Sequence, residues 1–318
     1  MTNLVDPLVF FFLLGITAGL IRSDLKIPQS LYETLSIYLL LAIGLKGGVE
    51  LSKGPLSDLF SPISGALFIG AVIPIIAFGI AYKIFKYSRD DSSALATHYG
   101  SVSAVTFAVC LSYLSRNLVE YDSFVTIILV VLEVPALVVG IVLSKLGSSD
   151  FKEKLGMVMH EIVTGKSLVL LIGGLLVGYF SGAEKMKVLD PVFVEPFKGA
   201  LAFFLLEMGL IVARRLEKLK RSGLSLIVFS IIIPLISSVI TVPIAYFVGF
   251  SLGGAVVFTT LAASASYIAA PAAVRIAIPK ADPAIYITAS LAITFPFNVT
   301  VGIPLYHEMV KFFYNFVS

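Results

Sequence analysis

Apolar residues in this chain come in long runs parted by short polar stretches. Runs long enough to cross about 30 Å of hydrocarbon fall at roughly 5–21, 31–51, 61–85, 92–114 and 122–146. They resume at 167–183, 196–214, 223–249, 252–277 and 283–313. The pattern predicts an all-α integral membrane protein of about ten transmembrane helices. A first set of five spans 1–146, a polar, helix-forming linker covers 147–166, and a second set spans 167–318.

The two sets answer each other. Gly15 and Gly19 in span one match Gly174 and Gly178 in span six, and Gly44 in span two matches Gly209 in span seven. Ile73-Pro74-Ile75-Ile76 matches Ile233-Pro234-Leu235-Ile236. Val134-Pro135, followed by Val139-Gly140-Ile141, matches Phe295-Pro296, followed by Val301-Gly302-Ile303. Each match alone is weak, because Gly and Pro are common in membrane helices. Their shared register predicts a five-plus-five repeat. An odd number of spans per copy makes that repeat inverted.

Spans four and nine are the unusual members. They hold Gly100-Ser101-Val102-Ser103-Ala104-Val105 and Ala263-Ser264-Ala265-Ser266-Tyr267-Ile268, too small and polar for lipid-facing helix. Weak points at equivalent places in two copies predict a paired, broken-helix binding site of the secondary-transporter kind. A helix restarting at mid-membrane exposes free N–H groups and the positive end of its dipole, which favours an anion. Serine can cap those groups or bind the solute directly. The bland alternative is close helix packing through small residues. Gly100, Ser101, Val102, Ser103, Ser264, Ala265 and Ser266 are therefore the candidate solute site.

Composition narrows the class. Hydrophobic residues make up 58% and charged residues 14%, with a mean hydropathy of +0.99. That much apolar surface has a bilayer as its natural solvent, where a soluble domain carries about 25% charged residues. A net charge of +3 gives no footprint for nucleic acid. The basic residues after odd spans outnumber those on the other side by roughly sixteen to five or six, which puts both termini outside and the linker in the cytoplasm. The plasma (inner) membrane is the expected location. No Lys or Arg precedes the first apolar run, so that run reads as a mature helix and not as a cleaved signal. Cys110 is the sole cysteine, which excludes an internal disulfide. No HExxH, P-loop, GxSxG or CxxC constellation is present, so an enzyme has little support and no cofactor is expected.

Single polar residues within spans add candidates. Glu133 lies two residues before Pro135, where a carboxylate needs a cation, a proton, water or a packing hydrogen bond. Asn298 lies two residues after Pro296 and offers a neutral oxygen. Tyr267 can meet an ion, close a gate or pack against the gap. Glu133, Asn298, Tyr267 and Thr106 are the candidates for a cation or coupling site. Glu207, His98 and Lys46 have structural readings of equal or greater weight, and Lys46 can snorkel to the interface.

Across almost its whole length the chain resembles the cyanobacterial sodium-dependent bicarbonate transporter family. The resemblance is most specific in Ala262-Ala263-Ser264-Ala265-Ser266-Tyr267-Ile268 through Pro271, and in Arg275-Ile276-Ala277-Ile278-Pro279-Lys280-Ala281-Asp282-Pro283. Gly100-Ser101-Val102-Ser103 and Glu133-Val134-Pro135-Ala136-Leu137-Val138 add to it. The resemblance implies a core of spans three to five and eight to ten, moving against a gate of spans one, two, six and seven. It also implies a homotrimer, with bicarbonate between the serine elements and a sodium ion beside it as the coupling ion. The departures are specific. Ala265 stands for a serine, Tyr267 for an aspartate, and Ala269-Ala270 for Ser-Gly. The first-repeat carboxylate is Glu133 where those members have aspartate. The short central stretch argues against a PII-like regulatory partner. The function expected is import of a small anion, bicarbonate first, coupled to sodium. Proton-coupled carriage of another small carboxylate, and a membrane receptor that binds without transport, remain as alternatives.

Overall fold

The computed structural model describes residues 6–55, 59–145 and 151–317, with the side chains of 145, 151–155 and 216–222 excepted. Residues 147–150 of the expected linker lie outside the described residues. So do the side chains of Lys145, Lys152, Lys154, Lys218, Lys220 and Arg221, which entered the charge bias.

The described residues form helices joined by turns and short extended stretches, with no strand. The first half holds α1 (Pro7–Leu20), α2 (Gln29–Leu51), α3 (Phe60–Gly79, running on as a π-helical turn over Ile80–Ile84), α4 (Arg89–Gly100), α5 (Ala104–Arg116) and α6 (Val125–Lys145). The central stretch contains α7 (Phe151–Thr164). The second half holds α8 (Lys166–Met186), the short α9 (Asp190–Phe193), α10 (Phe197–Phe247), α11 (Leu252–Ala262) and α12 (Ala270–Ala277). Its last stretch runs through α13 (Pro283–Ile287), α14 (Phe295–Phe297) and α15 (Ile303–Val317), joined by π-helical segments over 288–294 and 298–302. Within α10, Gly223 has φ 79° and ψ 162°, so the helix turns there into two limbs. A residue with a Cβ would be strained in that conformation.

Seven of these stretches are long and apolar enough to cross a membrane, making this a multi-pass membrane protein. The other three expected spans fall short for identifiable reasons. α1 has 14 residues, about 21 Å of helix. The first limb of α10 carries Glu207, Arg214 and Arg215. The ninth is divided between α11 and α12 by residues 263–269, whereas the fourth counts among the seven as one stretch, Arg89–Arg116, across its shorter interruption at 101–103.

The glycines that match between the halves sit where helices cross. α1 packs on α10, and α2 on α8. A methyl group at Gly15 would strike the Leu206 carbonyl oxygen, and one at Gly209 the Phe12 carbonyl oxygen. At the second crossing, a Cβ on Gly174 would lie 2.9 Å from the Gly44 Cα, and one on Gly178 would strike the Leu45 carbonyl oxygen. Without a hydrophobic force between helices in lipid, such backbone contact is what binds them. The remaining elements pack as a second body: α3, α4 and α6 together, the second limb of α10 on the 288–294 segment, and α11 on α5 and α15. Asp6 ties the two bodies at one edge. It caps α1 by accepting from the Leu8 N–H at 2.8 Å and pairs with Arg116, at the end of α5, at 2.5 Å.

The central stretch is more than a connection. α7 packs against α12 and α6, so the expected linker covers the half-helix that follows the second break.

Candidate functional site

Both serine elements are interruptions in helices. α4 ends at Gly100, Ser101 is extended at φ −91° and ψ 168°, and α5 starts after Ser103. Gly100 permits this by contact, since a Cβ there would lie 2.6 Å from both Ala136 Cβ and Pro74 Cδ. α11 ends at Ala262 and α12 begins at Ala270 with Pro271 in its first turn. Proline is at home there, but its ring would clash with the carbonyl four residues earlier. The proline favours a restart here without forcing one, since α3, α6 and α10 run on through Pro74, Pro135, Pro234 and Pro243.

The two breaks touch. The Ser103 N–H donates to Ser264 Oγ at 3.0 Å, and the Ser266 N–H donates to the His98 carbonyl at 2.9 Å. Ser103 is the hub. Its hydroxyl accepts from the Thr106 N–H at 3.1 Å and the Thr106 hydroxyl at 3.0 Å, and it donates to Tyr267 Oη at 3.3 Å. That exhausts its one hydrogen and two lone pairs. Ser264 Oγ donates to the Leu261 carbonyl at 2.7 Å. Ser266 Oγ accepts from the Ala270 N–H at 3.2 Å, and its own hydrogen has no acceptor among the described residues. The serines thus serve the breaks first, and Ser266 keeps a donor to spare.

A pocket of about 20 Å³ lies between the breaks, lined by Val102, Ser103, Glu133, Ser167, Ser266 and Tyr267 among others. It has room for one water-sized guest. Glu133, Ser167, Ile268 and Ala269 also line a second cavity of about 390 Å³, which reaches Glu161, Thr164 and Lys166 at the end of α7 and the start of α8. Glu133 is only 6% exposed, and its carboxylate has no hydrogen bond or ion pair among the described residues. It therefore stands at the junction of a tight pocket and a wide one.

A third cavity, about 360 Å³, lies beyond the other end of the pocket; its mainly apolar lining also includes Lys46, Tyr121, Lys198, Ser112, Ser115 and Thr126. The residues Lys46 and Glu50 that border it also meet Ala183 and Met186 at the far end of α8. From Lys166 to Ala183 is about 25 Å of helix, so the two large cavities open on opposite faces. Between them, Leu40, Ile43, Ala104, Ala108, Phe204 and Ile268 close around a gap of about 10 Å³. The pocket is continuous in its lining with the α7 side and sealed from the other.

The expected site residues divide into two groups. Val102, Ser103, Ser266, Glu133 and Tyr267 line the pocket. Gly100, Ser101, Ser264 and Ala265 stand behind it. Ala265 packs in the apolar core, and Ser101 Oγ makes a long 3.5 Å bond to the Glu133 carbonyl. Thr106 holds Ser103. Asn298 is fully buried, donating to the Ala263 carbonyl at 2.9 Å and accepting from the Tyr306 hydroxyl at 2.7 Å, so it braces the second break from behind. Among the described residues no group of three His, Cys, Asp or Glu is placed to hold a metal ion. Two polar residues enter that sequence reasoning did not single out. Ser167 borders both the pocket and the α7-side cavity. Ser36 has a buried hydroxyl without a partner, in the closed seam. Both sit at the margin of an apolar run, where a serine looks like a boundary residue.

Glu207 is held by Arg214 at 2.8 Å. His98 is fully buried, with Nδ1 2.8 Å from the Ala94 carbonyl and its ring 4.6 Å from that of Tyr286.

No curated protein matches the chain. A family model does match, over residues 7–311, and it is that of the Na+-dependent bicarbonate transporter superfamily. The match takes in both breaks, Glu133 and the helices that carry them, and with it the chain is a transporter and not an enzyme. On this evidence the chain belongs to the Na+-dependent bicarbonate transporter superfamily.

Proposed function

We propose that the protein imports bicarbonate together with sodium across the plasma membrane by alternating access. The observation that carries this reading is the direct contact of two helix breaks beside one unpartnered carboxylate. The Ser103 N–H reaches Ser264, and Glu133 lines the same pocket. The free N–H groups at the start of α5 and the Ser266 hydroxyl supply donors to the anion. Glu133 supplies the negative charge for the cation, and since the pocket alone admits only a water-sized guest, the anion extends from it into the adjoining 390 Å³ cavity. Opposite charges at adjacent sites make each solute favour the other, a reciprocal coupling.

The proposed architecture is a ten-helix, five-plus-five inverted repeat. The glycine crossings of α1 with α10 and of α2 with α8 are what such a repeat requires, since spans one and seven exchange with spans six and two. The proposed orientation puts both termini outside and α7 in the cytoplasm, from the excess of Lys and Arg on that side. The 390 Å³ cavity is then cytoplasmic, and the chain is in an inward-open form with its outer path shut at Leu40 and Ile43. The gate that moves comprises α1, α2, α8 and the first limb of α10. The assembly proposed is a homotrimer.

The test is uptake of labelled bicarbonate into proteoliposomes with and without an inward sodium gradient. Sodium-driven accumulation is the expected result. Uptake indifferent to sodium removes the coupling, and an absence of uptake removes the solute.

A second reading has its own support. Among the described residues Glu133 is the one carboxylate lining the pocket. A lone carboxylate suits a proton as well as a sodium ion, giving proton-coupled carriage of a small carboxylate. Under that reading Glu133→Gln abolishes the response to a pH gradient and leaves solute exchange intact.

A further inference from the structure

The cavity on the face away from α7 contains two lysines that the breaks do not use. Lys46 lies inside α2, and Lys198 in the first turn of α10. Both are exposed and both line the 360 Å³ cavity. No ion pair holds either lysine among the described residues. Lys46 Nζ reaches only the Tyr121 hydroxyl, at 3.5 Å. Of the carboxylates in the same wall, Glu50 is taken by Lys53 at 2.8 Å, which leaves Glu195 against two lysines.

The position of Lys46 ties this cavity to the route. Residues three or four apart share a helix face, so Lys46, Ile43 and Leu40 form a line down α2. Ile43 and Leu40 are the residues that close the seam above the pocket. A solute entering from this face passes Lys46 before it meets the seam. A lysine that only snorkels to lipid headgroups would lie on the outer surface of the helix. Lys46 instead shares its cavity with Tyr121, Ser112, Ser115 and Thr126, polar residues that stand among apolar ones such as Phe107, Leu111 and Phe193.

We propose that this vestibule is a capture site for small monovalent oxyanions, bicarbonate among them, with Lys46 and Lys198 supplying the charge. The site is distinct from the pocket between the breaks and precedes it on the import path. Its role in import rests on the anion-import reading, but its capacity to hold an anion does not. A cleft in which one sign of charge predominates, here two lysines against Glu195 once Glu50 is paired with Lys53, raises the local concentration of its counter-ion. The vestibule therefore lowers the external concentration needed to fill the inner pocket and leaves the saturated rate unchanged.

The experiment uses the full-length protein in right-side-out vesicles. Cys110 is the chain's one cysteine and is buried. In a Cys110→Ala background, Ser115→Cys places a reporter thiol in the vestibule wall. Its reaction rates with an anionic sulfonate and a cationic trimethylammonium methanethiosulfonate are compared, with and without external bicarbonate. Adding Lys46→Gln is expected to lower the anionic-to-cationic rate ratio about tenfold, because the two reagents feel the lost charge with opposite sign. Lys198→Gln, on an exposed first turn, lowers it similarly, and Lys46→Arg preserves it. Millimolar bicarbonate slows labelling, and Lys46→Gln removes that protection. A ratio unmoved by both glutamine variants overturns the proposal, as does protection by bicarbonate that persists in both. If the ratio depends on Lys46 while the intact protein takes up no bicarbonate, the capture site stands and the import reading falls.

Discussion

Replacing Ser103 by alanine tests whether the breaks are built and held by their own serines. The change removes three hydrogen bonds at a residue 4% exposed: those from the Thr106 N–H and hydroxyl, and that to Tyr267. Each such bond contributes about 1 kcal/mol net, and an N-cap loss alone costs about the same. The Thr106 N–H and two hydroxyls are then left without these partners, which carries the cost to about 3 kcal/mol. For a chain of this size that corresponds to an apparent unfolding temperature lower by about 5–10 °C. The protein carries its own reporter. Cys110 is fully buried, and tryptophan is absent. A thiol-reactive fluorophore in detergent therefore reads unfolding through one site. Ser103→Thr, which retains a capping hydroxyl, is expected to stay within about 1 kcal/mol of the wild type. The exposed Ser115→Ala is expected to be silent. A Ser103→Ala protein that melts with the wild type refutes the account of how the first break is held.

Four other outcomes follow from the same geometry. Ser266→Ala loses one bond, from the Ala270 N–H, so stability falls by only about 1 kcal/mol, while the KM for solute uptake rises several-fold because the spare donor is gone. Gly174→Ala pushes a methyl to within 2.9 Å of Gly44 Cα and is expected to destabilise by about 1–3 kcal/mol, whereas Gly173→Ala, one residue away in open space, is neutral or slightly stabilising. Both are read by thiol-dye melting. Asn298→Ala strands the Ala263 carbonyl and the Tyr306 hydroxyl in a fully buried place and costs about 2–4 kcal/mol by the same assay. Glu133→Gln preserves the fold and abolishes the dependence of uptake on the cation gradient, measured in proteoliposomes; coupling that survives it removes Glu133 from the mechanism.

The breaks were legible because several signals coincide in them. Gly100-Ser101-Val102-Ser103 has no bulky or lipid-compatible stretch, and Pro271 disfavours helix through Tyr267. The glycine pattern was readable as a repeat, but its physical meaning was not. Sequence shows Gly15 matching Gly174, yet only the packing reveals that each crosses the other copy's counterpart, Gly209 and Gly44. Which polar side chain faces the pocket was also hidden. Regular extended backbone would put Ser101 and Ser103 on one face, yet Ser103 lines the pocket and Ser101 turns to the Glu133 carbonyl, so no periodic rule applies through a break. Asn298 illustrates the same limit. A buried amide needs partners wherever it lies, and the second break and Tyr306 supply them before any ion does. Ser167 was missed because it opens an apolar run, and α7 because its polar sequence reads as a connection. Seven long apolar helices among the described residues, against ten expected spans, reflect one short helix, one charged limb and one interrupted span.

In the proposed mechanism two facing helix breaks and Glu133 hold one anion and its cation. An experimental map of the protein in bicarbonate and sodium tests it most directly. The account predicts a non-protein feature touching the start of α5 and the Ser266 hydroxyl, with a second, smaller one against the Glu133 carboxylate. Solute density lodged elsewhere, or α4 running unbroken into α5, contradicts it.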